Sequence, residues 1–161
     1  MLFSCKKENI KEEQSQLKQE EVNTVTKANK EDKPNHNLEV VLRGEGNRAG
    51  HIHFRQDKDP AKIITLDTKV HHLEANHEYL LQRAVDQILD GECTGTNWLT
   101  LGHGLQPQSI VTDDKGNGSE ELWRDVSAIP SGTTFDIHFR VVDKLTMAVV
   151  LTSDCYQYTV R

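Results

Sequence analysis

"GHIHFRQ" at residues 50–56 and "FDIHFR" at residues 135–140 share one core, and their alternation decides the fold. Successive side chains of a strand point to opposite faces, so His51, His53 and Arg55 lie on one face and Ile52 and Phe54 on the other. In the second stretch Phe135, Ile137 and Phe139 point one way, and Asp136, His138 and Arg140 point the other. Both follow one scheme, with Ile and Phe inward and His and Arg outward. Sheet patterning alone accounts for this spacing.

The same texture runs through the chain from Leu38 onward. "LEVVLR", "KIITL", "EYLLQRAV", "WLTL", "SIVT", "EELWRDV", "MAVVLT" and "YQYTV" read as short strands, and "GEGNRAG", "QDKDPA", "DDKGNG" and "IPSG" punctuate them. Many short strands at this spacing predict an all-β, antiparallel sandwich or barrel. "RAVDQILDGE" reads equally as a helical turn or a loop. "LEANHEY" places Leu73 six residues before Tyr79 across a turn. It resembles the tyrosine corner of immunoglobulin-like and fibronectin type III domains, where the Tyr hydroxyl hydrogen-bonds to backbone upstream. That resemblance implies an immunoglobulin-like β-sandwich, although Ala75 stands where the corner usually has Pro.

Residues 6–37 have a different composition, almost entirely Lys, Glu, Gln, Asn, Asp and Thr. Ile10, Leu17, Val22 and Val25 are too sparse to bury a helical stripe, so the segment cannot offset its ordering entropy and reads as a disordered, solvated tether. The expected organisation is a tether with its anchor over residues 1–37 and a β domain over residues 38–161. The 161 residues carry a net charge of -6, which argues against a general nucleic-acid binder. No apolar run reaches the length of a membrane-spanning helix.

"LFSCKKE" at residues 2–8 resembles a bacterial lipoprotein cleavage box, with Cys5 as the lipidated residue. In that family the Cys becomes the mature N-terminus, and a polar tether follows it. The resemblance implies an outer-membrane lipoprotein of the bacterial cell envelope, whose membrane partner is reached through the lipid. Met1 leaves no room for the charged and apolar signal regions that export requires, so the expectation is a truncated start. An export address makes the compartment oxidising, and Cys93 and Cys155 then pair as a disulfide. In the cytosol all three cysteines would be free thiols, with Cys155 a buried hydrophobe. Neither neighbourhood has the helix start or basic cluster that activates a Cys nucleophile.

Two histidines at i and i+2 are also able to bind Cu or Zn through imidazole nitrogens. If the two His-bearing strands lie side by side, His51, His53 and His138 converge on one ion. "GHIHF" is similar to the His-x-His of copper/zinc superoxide dismutases, themselves antiparallel sandwiches with a disulfide reaching the last strand. "VHHLEANHEY" offers His71, His72 and His77 but lacks the Asp that closes that family's zinc loop. These three read as turn residues and His103 as a loop residue, able to line a pocket with Trp98. Trp98 and Trp123 read as core anchors.

"TDDKGNGSEELW" fails as a calcium loop, since Lys115 and Arg124 fall at ligand positions. It reads as a tight hairpin turn instead. No nucleophile elbow, P-loop or dinucleotide fingerprint occurs, and no catalytic residue is nominated. The sequence thus leads to an envelope-anchored binding or structural module whose ligand, protein or small molecule, it leaves open. The alternative is a copper- or zinc-binding sandwich, redox-active in its sharpest form.

Overall fold

The computed structural model describes residues 35–161. Cys5 and residues 6–34 of the tether expected over residues 6–37 lie outside the described residues. Its last three residues are described and meet the domain: the Asn35 carbonyl accepts the Thr159 amide, His36 Nδ1 contacts the Thr159 carbonyl, and Asn37 Oδ1 accepts the Gln56 amide. Twelve strands occur among the described residues, and no helix does: β1 (Leu38–Arg43), β2 (Ala49–Gln56), β3 (Ile63–His71), β4 (Glu78–Asp86), β5 (Leu99–Thr100), β6 (Gly102–His103), β7 (Gln106–Pro107), β8 (Ile110–Val111), β9 (Gly118–Asp125), β10 (Thr134–Asp143), β11 (Val149–Ser153) and β12 (Tyr156–Thr159). The predicted strands are present, and "RAVDQILDGE" resolves into the end of β4 and a loop. The two-residue strands β6 and β7 carry no alternation for sequence patterning to detect.

The strands join in the order β5-β4-β10-β11-β1-β2-β3-β9-β6-β7, with β12 paired to β10 and β8 to β4. Every ladder is antiparallel except β6–β9, which makes the sheet mixed. Residues 99–112 then bring its two flanks together. On the β4 flank, β8 pairs through Tyr79↔Ile110 and the Leu101 amide donates to the Leu81 carbonyl. On the β9 flank, a Thr112↔Gly118 bridge and the parallel His103↔Trp123 pair make the join. The sheet is nearly closed into a barrel-like shape.

Alternation fills the interior. Strand β1 alternates buried and exposed residues along its length, and Leu38, Val40 and Leu42 face inward. Ile52 and Phe54 join them from β2, and Ile137, Phe139 and Val141 from β10. Phe139 is 1 % exposed, so its truncation to Ala would cost about 3–5 kcal/mol. The turn between β8 and β9 is set by Asp113, whose Oδ1 accepts the Lys115 and Asn117 amides. Gly116 completes it at φ 82°, where a Cβ would meet the Leu73 carbonyl. The expected hairpin turn is present.

The Tyr79 corner also forms. The Glu74 amide donates to Tyr79 Oη at 3.0 Å, and Tyr79 is 2 % exposed. His72 and Asn76, both in the left-handed region, turn the chain over this hydroxyl.

Residues 87–98 lie against the outer face of β4 and β10. The Gly91 amide donates to Asp136 Oδ2 at 2.8 Å and the Thr94 amide to Asp86 Oδ2 at 2.7 Å. The disulfide Cys93–Cys155, with Cα atoms 5.4 Å apart, pins this loop beside β11 and β12. This covering explains why Gln82, Ala84 and Asp136, all on the outer side of their strands, are buried. It also corrects one expectation, because Trp98 is a surface clamp and not a core anchor. Its ring lies 4.6 Å from His138 and 4.1 Å from the Arg140 guanidinium. Trp123, 39 % exposed, is likewise outside the core and packs under Gly104.

Candidate functional site

The histidines sort differently from the expected trio. His51 and His53 are neighbours on the outer face of β2, with ring centroids 5.6 Å apart. His138 does not join them. Strands β11 and β1 stand between β10 and β2, a separation of about 14 Å at ordinary strand spacing. His138 is not solvent-facing either. Its Nε2–H donates to the Gly95 carbonyl at 3.0 Å, so the ring anchors the loop over residues 87–98. The sequence could not foresee this, since both His-bearing strands alternate identically and only the topology separates them.

The structure brings His71 to the pair instead. It stands on β3, which pairs with β2, and its ring stacks 5.9 Å from His51. His53 Nδ1–H donates to Glu39 Oε2 of β1 at 2.8 Å, and Nε2 has no hydrogen-bond partner among the described residues. Arg55 completes the patch by donating to Glu39 Oε1 at 2.7 Å. The Arg55 hydrogen bond, aided by His53, holds the Glu39 carboxyl below its ordinary value. Partial burial, followed by repulsion from His53, His71 and Lys69, pushes His51 down. A ring held neutral in this way is the form that ligates a metal.

A second cluster lies at the Tyr79 corner. Glu74, His77 and Asp143 each offer one ligand atom, all within 4.8 Å of one another. His77 Nε2–H donates to Asp143 Oδ2 at 2.8 Å, while Asp143 Oδ1 accepts the Leu145 and Thr146 amides. Asp143 reaches His77 from β10, which lies beside β4. His103, by contrast, sits on β6 against Glu120 and the Glu121 carbonyl, apart from Trp98.

The third feature is a cavity of about 220 Å3 in the barrel, where the chain leaves β9 for β10. Phe54, Ile64, Leu66, Phe135, Ile137 and Val126 give it apolar walls, and Arg83, Arg124 and Asp125 enter it. Arg83 and Arg124 were missed at the sequence level, though a signal exists. In "EYLLQRAV", alternation places Arg83 on the face of Tyr79, Leu81 and Val85. In "EELWRDV" it places Arg124 on the face of Leu122. A charged residue in the inward register of a strand is the mark to look for.

Neither a protein-family model nor a curated protein matches this sequence.

Proposed function

We propose that the chain is a non-enzymatic binding module of the bacterial cell envelope, held to a membrane through a lipid on Cys5, with the barrel cavity as its ligand site. The cavity carries this reading. A concave, mostly apolar space with a few converging polar groups is the usual form of a small-molecule site. The disulfide supports the envelope address, because such bonds persist in oxidising compartments. Support for the finer, immunoglobulin-like description of the domain comes from the Tyr79 corner.

The anchor is tested by labelling cells with an alkynyl fatty acid during expression behind a bacterial export signal. The parent chain should take the label and sediment with membranes, and Cys5→Ala should do neither. Label on the variant, or none on the parent, would remove the anchored reading.

A second reading is a zinc or copper site on the outer face of β2 and β3, using His51 and His71 with His53. Three imidazoles on paired strands favour it, and Glu39 on His53 Nδ1 is the outer-shell carboxylate that orients a metal-binding ring. Coordination needs the ring nitrogens drawn to about 2.0–2.1 Å from one ion, against the charge of Lys69. Titration calorimetry with Zn or Cu on untagged protein tests it. His51→Ala with His71→Ala should abolish binding, and His138→Ala should leave it intact. Binding lost instead in His77→Ala would transfer the site to the Tyr79 corner.

A further inference from the structure

Arg83 and Arg124 line the apolar cavity, and among the described residues neither is paired with an acid. Arg83 is opposite Phe139 of β10 in the β4 register, and Arg124 is opposite Ile64 of β3 in the β9 register. Both partners belong to the core, with Phe139 1 % and Ile64 5 % exposed. Among the described residues, neither guanidinium makes a salt bridge or a side-chain hydrogen bond. Asp125 reaches the same cavity, but its Oδ1 accepts the Ser127 amide and it pairs with neither arginine.

Such an arrangement is unfavourable for the charged groups themselves. Both arginines are half-buried, and a charge partly withdrawn from water without a partner is costly, the more so with a like charge nearby. The structure carries that repulsion, since burial and then the neighbouring Arg124 both act against the charged form of Arg83. Guanidinium remains protonated in proteins, so relief comes from an anion and not from loss of a proton. Each planar fork matches a carboxylate through two parallel N–H···O bonds. The remaining walls are aromatic and aliphatic, which suits an apolar body and excludes a small hydrated ion as the natural occupant.

We propose that the cavity takes an amphipathic carboxylate, with the head group between Arg83 and Arg124 and the apolar body against Phe54, Leu66 and Ile137. This inference rests on the cavity being the ligand site. It adds the charge and the amphipathic character of what enters.

Calorimetry and amide NMR on the full chain, with octanoate, 1-octanol and octylammonium as probes of one length, separate the two claims. Octanoate should bind at least tenfold more tightly than 1-octanol, and octylammonium should not bind. Arg83→Gln and Arg124→Gln should each weaken octanoate tenfold or more while leaving 1-octanol unchanged. Each variant should also melt no lower than the parent without ligand, because it relieves the repulsion. If 1-octanol and octanoate bind alike and neither variant separates them, the carboxylate inference falls and the cavity reading stands. If no probe binds or shifts the amides around Phe54 and Ile64, both fall. Should one variant fail to fold, the other carries the test alone.

Discussion

The Tyr158 hydroxyl donates to the side-chain carbonyl of Gln56, joining β12 to β2 across 102 residues of sequence in the buried interior. The same carbonyl accepts the Arg161 amide at 2.9 Å, while Gln56 Nε2 finds no partner among the described residues. Burial raises the Tyr158 phenol well above its ordinary value, so it remains a donor throughout the physiological range. Tyr158→Phe leaves the carbonyl still satisfied by Arg161 and should cost about 1 kcal/mol. Gln56→Leu removes the idle amide but strands the buried Tyr158 hydroxyl and the half-buried Arg161 amide, and should cost more. A double-mutant cycle from urea melts should give a coupling of about 0.5–1 kcal/mol or more. A cycle closing at zero would show that the two groups do not act together.

The Cys93–Cys155 bond closes a long loop, with a sequence separation of 62. Chain-entropy arguments assign such a loop about 4 kcal/mol of stabilisation. Cys93→Ser with Cys155→Ser should lower the denaturant midpoint accordingly. It should also change the fluorescence of Trp98, whose packing on His138 and Arg140 depends on the pinned loop. Unaltered stability in the double variant would show that the hydrogen bonds to Asp86 and Asp136 hold the loop by themselves.

Asp143 gives the domain an acid-sensitive clamp. Its burial raises the carboxyl, but the Leu145 and Thr146 amides and His77 outweigh this, and the net shift is downward. A depressed folded value contributes stability that is present above the ordinary 3.8 and is lost as pH falls through the folded value. Asp143→Asn should therefore flatten the melting-temperature profile at its acid end, between about pH 2 and 5. An acid limb as steep as the parent's would place the sensitivity elsewhere.

His51 predicts the opposite response to substitution. Its folded value is pushed down by burial and by its cationic neighbours, so its neutral form is the one compatible with the fold. The stability it allows is complete above the ordinary 6.5 and declines as pH falls below that value. His51→Gln should change stability by no more than about 0.5 kcal/mol at neutral pH. At about pH 5 the variant should melt above the parent. Equal melting temperatures at both pH values would show that the ring is not crowded by its neighbours.

The sequence by itself determined the longer strands, the turn at Asp113–Gly116 and which side of each longer strand is apolar. Period-two alternation is a local property, and residues such as Ile52, Phe54, Ile137 and Phe139 impose it wherever the strand lies. The hairpin at Asp113–Gly116 and the Tyr79 corner were legible for the same reason, since each is built from residues close in sequence. Arg83 and Arg124 went unread, although each is a charge in an inward register, because a single charged residue in a strand does not announce its partner. What the tertiary structure decided was every relation between distant strands. It set His71, not His138, beside His51, placed Asp143 against His77, and brought two arginines into one cavity. Strand order decides these matters, and order depends on how the whole set of apolar faces closes around one interior. Two stretches as alike as "GHIHFRQ" and "FDIHFR" can present the same faces to that interior and still stand three strands apart.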